Sequence, residues 1–211
     1  MIFDLDGVVV DSMPVHYIAW QRYLESIGIR DRDIASSMHG RRNDEIVRDF
    51  LGPEAPEEEV LEHGAAKERL FRGIMGERLA QSLVPGIAEW LRRTAGTPVA
   101  LATNAERPNI DFVLDGAGLR PYFQTIVDGS QVAHPKPAPD VYLRAAGNLG
   151  VSPAQCIVFE DSPVGVAAAR AAGMRVVGVL THSSPLADIQ FAVSDFHDPA
   201  LEAWLSEQDA A

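Results

Sequence analysis

Five short apolar runs, each followed by Gly, Asp, Asn or Pro and then by a helical pattern, constrain the fold more than any other feature of the chain. They are residues 1–3, 99–102, 125–127, 157–159 and 176–179. Near-continuous apolar strands that alternate with helices are typical of a parallel sheet covered by helices on both faces. The sequence therefore predicts an α/β fold built on a Rossmann-like, doubly wound parallel sheet.

A long insertion separates the first two of these strands. It spans roughly 70 residues, whereas the crossover of a simple βαβ unit needs only about a dozen. Helical stretches are predicted at 13–27, 43–51, 57–72 and 75–81, with breaks at Gly28, Gly40, Gly52-Pro53 and Gly73. We therefore expect an α-helical cap domain over residues 12–82, inserted into a core domain formed by residues 1–11 and 83–211.

Charge and composition exclude several classes of protein. The net charge is -12, from 18 Lys+Arg against 30 Asp+Glu, and no cluster of basic residues indicates a nucleic-acid partner. No apolar stretch approaches the ~20 residues of a membrane span, and the N-terminus lacks the pattern of a secretion signal. Cys156 is the single cysteine, so an intrachain disulfide is impossible and a reducing cytoplasm is the expected location. A small anionic substrate remains compatible, because it needs only a local positive pocket.

Polar residues follow the carboxyl ends of the predicted strands, where open α/β sheets bind their ligands. They are Asp4 and Asp6 after the first strand, Thr103 and Asn104 after the second, and Glu160 and Asp161 after the fourth. The loop 134–140, with the sequence HPKPAPD, is stiffened by three prolines and displays Lys136. We expect these side chains to meet in one crevice.

Several carboxylates in one crevice predict a metal site. They would repel one another and raise their own pKa values unless a cation lay among them. Oxygen-only ligands with a substrate phosphate favour Mg²⁺ over Zn²⁺, which prefers His or Cys. Asp4 and Asp161 are the first choices as side-chain ligands.

The same residue types suit phosphoryl transfer. One carboxylate can attack phosphorus to form an acyl phosphate, and a second can protonate the leaving oxygen and then activate water. Thr103 and Asn104 can donate to phosphate oxygens, and Lys136 can neutralise charge in the transition state. The alternative is that the aspartates merely cap helices or turns; that fits any one of them, but a set at successive strand ends favours a site.

Lysine usage is a second indication. The chain has only two lysines, Lys67 and Lys136, among its 18 basic residues. A chain that otherwise uses arginine is expected to need a compact ammonium at these two positions. Exposure on the surface is the alternative, and it is more plausible for Lys67.

Four motifs occur in a fixed order along the chain: FDLDGV at 3–8, Thr103-Asn104, Lys136-Pro137 and EDS at 160–162. In this order they resemble the haloacid dehalogenase superfamily, specifically its β-phosphoglucomutase-like and sugar-phosphate phosphatase branch with a helical cap. The resemblance covers essentially the whole chain. Members of this family usually have a few residues before the first strand. Either this strand is shortened here or the true start lies upstream. In both cases we expect the carboxyl end of the strand, which carries the catalytic residues, to be intact.

The resemblance implies a role for each of these residues. Asp4 would be the nucleophile and a Mg²⁺ ligand, and Asp6 the general acid/base that also binds the metal through its backbone carbonyl. Asp161 would be a metal ligand supported by Glu160. Thr103 and Lys136 would hold the transferring phosphoryl group.

The cap contributes candidate substrate-binding residues. His16 and Trp20 lie at i and i+4 on one face of the first predicted cap helix and could meet the substrate. Arg41 and Arg42 follow Gly40 at a turn that could clamp an anionic substrate. Ordinary packing is the alternative for His16 and Trp20, and solvent exposure is the alternative for the two arginines.

Two activities of the branch share this framework. His16 and Lys67 match a cap histidine and lysine that assist the sugar in the mutases that the chain resembles. Against a mutase, residues 40–43 read GRRN in place of GVSR, and Thr103-Asn104 resembles the phosphatases, where the mutases commonly have Ser-Ala.

We therefore predict a Mg²⁺-dependent phosphatase that hydrolyses a small phosphorylated metabolite, a sugar phosphate, through an aspartyl phosphate. A β-phosphoglucomutase is the alternative, and a non-catalytic binding module that keeps the fold is a third. We expect a monomer that acts without a nucleic-acid or membrane partner.

Overall fold

The computed structural model describes residues 1–30, 34, 41–182 and 185–209. The chain divides into two compact units. One comprises Met1–Asp11 and Ser82–Ala211 and is called the core unit; the other, Ser12–Gln81, is called the helical unit.

A six-stranded sheet forms the centre of the core unit in the described residues. Its strands are β1 (Ile2–Phe3), β2 (Ala100–Thr103), β3 (Thr125–Asp128), β4 (Ile157–Glu160), β5 (Arg175–Val179) and β6 (Phe191–Val193). They lie in the order β3-β2-β1-β4-β5-β6, and every neighbouring pair is parallel. The predicted α/β fold with a parallel sheet is confirmed, and β6 is an additional strand that the sequence analysis did not identify.

Helices account for most of the remaining described chain. In chain order they are α1 (Met13–Ser26), α2 (Asn43–Leu51), α3 (Glu57–Gly76), α4 (Leu79–Ser82), α5 (Ile87–Arg93), α6 (Arg107–Gly116), α7 (Asp140–Leu149), α8 (Pro163–Ala171) and α9 (Pro199–Asp209). Within the described residues, none of these helices combines the length and the apolar character needed to cross a membrane.

The sheet is buried on both faces, as its near-continuous apolar strands require. On one face, Ile2 and Val158 belong to a buried cluster with α7 and α8 residues such as Tyr142. On the other face, the Phe3 ring stacks on Phe159 with the ring centroids 4.5 Å apart. Although β1 has two residues, it lies between β2 and β4. The residue that follows it, Asp4, therefore lies near the middle of the carboxyl edge of the sheet.

The helical unit has an apolar core of its own, formed by Trp20, Tyr23, Leu24, Ile34, Ile46, Val47 and Val60. The predicted break at Gly73 is wrong, because α3 continues through this residue to Gly76. A glycine inside a helix costs only about 1 kcal/mol relative to alanine, and the buried side chains of Phe71 and Met75 hold the helix on both sides of it. The predicted break at Gly40 lies outside the described residues.

Candidate active site

Three acidic side chains converge at the carboxyl edge of the sheet. Phe3 of β1 is paired with Phe159 of β4, so the next residues, Asp4 and Glu160, lie side by side. The Asp4 amide also donates to the Phe159 carbonyl at 3.1 Å. With Asp161, each of these residues offers a carboxylate oxygen within 4.8 Å of the others, and all three are buried.

Lys136 lies among these acids. Its Nζ donates to Asp4 Oδ1 at 2.8 Å and to Glu160 Oε1 at 2.7 Å. The proline-rich loop that carries it is attached to the end of β2, because the Lys136 amide donates to Asn104 Oδ1 at 3.2 Å. The structure therefore brings Lys136 and Asn104 to the same edge as the acids.

Glu160 is 0% exposed and is saturated with hydrogen bonds. Besides Lys136, its Oε1 accepts from the Tyr142 hydroxyl at 2.7 Å. Its Oε2 accepts from the Asp161 amide and from the amide and hydroxyl of Ser162, each at 3.0 Å. A Cβ atom on Gly165 would lie 1.6 Å from Glu160 Oε1, so only glycine leaves room for this carboxylate. Sequence reasoning missed Tyr142.

Asp161 is seated against the turn that follows Asp4. A Cβ atom on Gly7, whose φ is +74°, would lie 2.0 Å from Asp161 Oδ2. The Thr181 hydroxyl donates to the Gly7 carbonyl at 2.8 Å, which attaches the chain after β5 to this turn. His182 Nε2 lies 3.2 Å from Asp161 Oδ2. His182 was not predicted, and no pattern around it in the sequence indicates a functional role.

Thr103 and Asp6 complete the set of predicted core residues. Thr103 ends β2, is buried, and accepts from the Ala105 amide at 3.0 Å through Oγ1, so its own proton can be donated elsewhere. Asp6 is half-buried in the turn after β1. It is close enough for its charge to raise the pKa of both Asp4 and Asp161.

The cluster has more negative than positive charge. Burial raises the pKa of Asp4 to about 8; Lys136 opposes this shift, and the neighbouring acids add to it. Burial also raises the pKa of Asp161 to about 6, against the hydrogen bond from His182. Burial by itself would lower the pKa of Lys136, but Asp4 and Glu160 outweigh it and hold that pKa above its ordinary value. A cation placed among these acids would relieve the repulsion.

Three predicted substrate-binding residues lie together in the helical unit. Lys67 Nζ is 2.7 Å from His16 Nδ1 and 5.0 Å from the centre of the Trp20 ring. It also donates to Glu68 Oε1 at 2.8 Å, and the same oxygen accepts from Asn43 Nδ2 at 2.6 Å. Lys67 is 1% exposed, so the surface alternative for this lysine does not hold. Both lysines of the chain are buried beside carboxylates.

The two cap arginines form ion pairs along α2. Arg41 Nη1 lies 2.8 Å from Asp49 Oδ2, and Arg42 Nε lies 3.0 Å from Asp44 Oδ1. Both guanidinium groups remain substantially exposed. Their role in substrate binding stays a prediction.

The chain is similar to known proteins over most of its length. A family model of haloacid dehalogenase-like hydrolases matches residues 1–173. Protein CbbY of Rhodobacter capsulatus is 34% identical, with 96% of this chain and 93% of that protein covered. Fructose-1-phosphate phosphatase YqaB of Escherichia coli K12 is 34% identical over 85% of this chain and 95% of that protein.

A solved structure is similar over nearly its full length. It is the β-phosphoglucomutase of Clostridium difficile, with a TM-score of 0.84 and 27% identity, covering 99% of this chain and 96% of that chain. The order of the motifs, the parallel sheet and the acidic cluster around Lys136 agree with the family match. The chain belongs to the haloacid dehalogenase-like hydrolase family.

Proposed function

We propose that this protein is a Mg²⁺-dependent phosphatase that hydrolyses a small sugar phosphate by way of a phosphoryl group carried on Asp4. The observation that carries this proposal is the placement of Asp4. It is a buried carboxylate in contact with a buried ammonium, Lys136, and within 4.8 Å of further acidic oxygens. A nucleophile, a positive charge and a metal-binding group are thus supplied together.

The residues present fit a hard divalent cation. The donor atoms are carboxylate oxygens, which suit Mg²⁺ and not a metal that prefers sulfur or imidazole. Burial is the main cause of the raised pKa values of Asp4 and Asp161, and the negative charges of the neighbouring acids add to it. The ligands would be the side chains of Asp4 and Asp161 and the carbonyl of Asp6, with Glu160 in support. When bound, Mg²⁺ supplies positive charge that offsets the repulsion between a phosphate and these acids.

The first chemical step transfers the phosphoryl group to the protein. An Asp4 carboxylate oxygen forms a bond to phosphorus while the bond from phosphorus to the ester oxygen breaks. Asp6 donates a proton to that departing oxygen, which leaves as the sugar hydroxyl. Lys136 and Thr103 donate to the phosphoryl oxygens, where negative charge is held during the transfer.

The second step returns Asp4 to its starting state. Asp6, now ionised, takes a proton from a water molecule as the water oxygen bonds to phosphorus. The bond between phosphorus and the Asp4 oxygen breaks, and inorganic phosphate is released. Each atom and proton is accounted for over the two steps, so no further co-reactant is needed.

The relatives and the helical unit support a sugar phosphate as the substrate. One relative is named a fructose-1-phosphate phosphatase, which supports a sugar monophosphate. His16 and Lys67 place an imidazole and an ammonium 2.7 Å apart, and such groups suit the hydroxyls of a sugar. The Trp20 ring is 1% exposed in the apolar core of the helical unit, and its centre lies 5.0 Å from Lys67 Nζ. We assign His16 and Lys67 to the sugar, Trp20 to the support of Lys67, Arg41 and Arg42 to the approach of the anionic substrate, and Asn104 to the phosphate end.

A second candidate is a β-phosphoglucomutase. The contact of 2.7 Å between Lys67 and His16 favours it, as does the similarity to the Clostridium difficile mutase. In that reaction the phosphoryl group on Asp4 would pass to another sugar hydroxyl, and water would be excluded.

A panel of phosphorylated sugars separates these possibilities. The purified protein is incubated with Mg²⁺ and with fructose 1-phosphate, β-glucose 1-phosphate and related esters, and inorganic phosphate and glucose 6-phosphate are measured separately. The proposal expects phosphate release that is abolished by EDTA. Formation of glucose 6-phosphate with little phosphate release would support the mutase. Neither product from any ester would support a non-catalytic module and overturn the proposal.

A further inference from the structure

Tyr142 contacts both Lys136 and one of the acids around it, Glu160. This residue on α7 is 0% exposed. Its hydroxyl donates to Glu160 Oε1 at 2.7 Å, and the Lys136 ammonium lies 4.7 Å from the centre of its ring. One side chain therefore touches both the acceptor of Lys136 and Lys136 itself.

The fold explains why a tyrosine can do this. Helix α7 begins at Asp140, a few residues after Lys136, and contacts β1, β2 and β3. Tyr142 lies in its first turn and belongs to the buried cluster that includes Val158 of β4. A buried tyrosine hydroxyl needs a hydrogen-bond partner, and here the partner is the carboxylate that ends β4.

The hydrogen bonds of Glu160 show what the hydroxyl contributes. Three donors from residues 161–162 occupy Oε2. In the described part of the chain, Oε1 accepts from Lys136 and from Tyr142. The hydroxyl therefore shares with Lys136 the Glu160 oxygen that accepts from the ammonium, and it reduces the negative charge that this oxygen presents to Lys136.

The ring has a complementary effect. Attraction of an ammonium to an aromatic face does not use an N–H donor. An ammonium has three N–H groups, and Asp4 and Glu160 each accept from one in this structure. Lys136 can thus be held in place while it directs a further N–H at a phosphoryl oxygen.

We propose that Tyr142 is a positioning residue for phosphoryl transfer, whose hydroxyl shares the Glu160 oxygen with Lys136 and whose ring supports the ammonium beside Asp4. This inference rests on the proposed function for its chemistry. A tyrosine that only fills space would tolerate loss of its hydroxyl with the ring kept. A positioning tyrosine would not, because Glu160 would then hold Lys136 more strongly and leave less of its charge for the phosphoryl group.

The kinetic test compares Tyr142→Phe with Tyr122→Phe, which removes a hydroxyl from a half-buried tyrosine elsewhere in the core unit. The probe is 4-nitrophenyl phosphate with Mg²⁺. We expect Tyr142→Phe to lower kcat about tenfold, as for loss of one hydrogen bond to a charged group, with KM changed less than about twofold. Tyr122→Phe should match the wild type. A wild-type kcat in Tyr142→Phe, or a rise in KM alone, would overturn the proposal.

A second measurement does not depend on turnover. Because the chain has only two lysines, protein labelled with ¹³C at lysine Cε gives two signals by NMR, and Lys67→Arg identifies that of Lys136. Tyr142→Phe should shift the Lys136 signal and leave the Lys67 signal unchanged; an unmoved Lys136 signal would contradict the positioning role. If no phosphate ester is turned over by the wild type, the proposed function fails, and this signal still decides whether Tyr142 positions the ammonium.

Discussion

Lys136 donates a hydrogen bond of 2.8 Å to Asp4, and each residue is only 8% exposed. Burying either of these charged groups alone would cost free energy, because each would lose its hydration. Burying them together is tolerated because the ammonium and the carboxylate attract each other. The pair also places a positive charge beside the atom that is proposed to attack phosphorus.

Asp4→Asn should abolish phosphatase activity. The amide is similar in size to the carboxylate but cannot act as the nucleophile, so we expect kcat to fall by at least about 10³-fold. The measurement is phosphate release from the sugar phosphate that the wild-type protein hydrolyses fastest. Asp115→Asn is the matched control, because Asp115 lies on α6 and its exposed carboxylate forms an ion pair with Arg120. This control variant should retain wild-type turnover. Substantial hydrolysis by Asp4→Asn would falsify the covalent route.

Lys136→Met should destabilise the metal-free protein. Removing the ammonium leaves the fully buried Glu160 carboxylate without its cation, and breaking a buried pair in this way typically costs about 3–5 kcal/mol. Urea unfolding in EDTA measures the loss in the free energy of unfolding. Added Mg²⁺ should restore part of it, because a bound cation again offsets the carboxylates. Equal stability of variant and wild type in EDTA would argue against an energetically important pair.

Mg²⁺ affinity should fall as the pH is lowered. Burial raises the pKa of Asp4 to about 8 and that of Asp161 to about 6. Metal binds the ionised carboxylates, so it must displace a proton from Asp4 below about pH 8 and a further proton from Asp161 below about pH 6. The affinity should drop about tenfold per pH unit for each proton displaced, and it should level off above pH 8. Calorimetric titration across this range tests it, and a pH-independent affinity would be inconsistent with these two acids as ligands.

Gly7→Ala should disable the site, whereas Gly118→Ala should not. Both glycines have positive φ, +74° and +66°, so each substitution carries a comparable backbone strain of about 1–2 kcal/mol. At Gly7 the new Cβ would also lie 2.0 Å from Asp161 Oδ2, while at Gly118 nothing lies within 4 Å. We expect Gly7→Ala to lose Mg²⁺ binding and turnover, and Gly118→Ala to lose only stability. Similar Mg²⁺ affinities in the two variants would show that Asp161 does not depend on this turn.

The sheet could be predicted from the sequence because its central strands are uninterrupted apolar runs. Strand β6 could not, since it has three residues and only Val193 is fully buried. The predicted helix break at Gly73 was wrong for a different reason. Local sequence shows the cost of a helical glycine, but it does not show that buried side chains on both sides hold α3 together.

The acidic part of the site could also be predicted, because parallel strands present their carboxyl ends at one edge. Tyr142 and His182 could not. Their neighbours in the sequence indicate burial or a loop, but their partners depend on where α7 and the chain after β5 lie in three dimensions. Glu68 was missed in the same way, because its contacts with Lys67 and Asn43 depend on the packing of α2 against α3.

The most direct measurement asks whether phosphorus becomes bonded to Asp4. Wild-type protein is mixed with Mg²⁺ and excess ester, quenched in acid within the first turnover, digested, and examined by mass spectrometry. The account predicts one added phosphoryl group on the peptide that contains Asp4, lost on treatment with hydroxylamine and absent from Asp4→Asn. An active enzyme whose Asp4 peptide is never modified, or is modified at another residue, would contradict it.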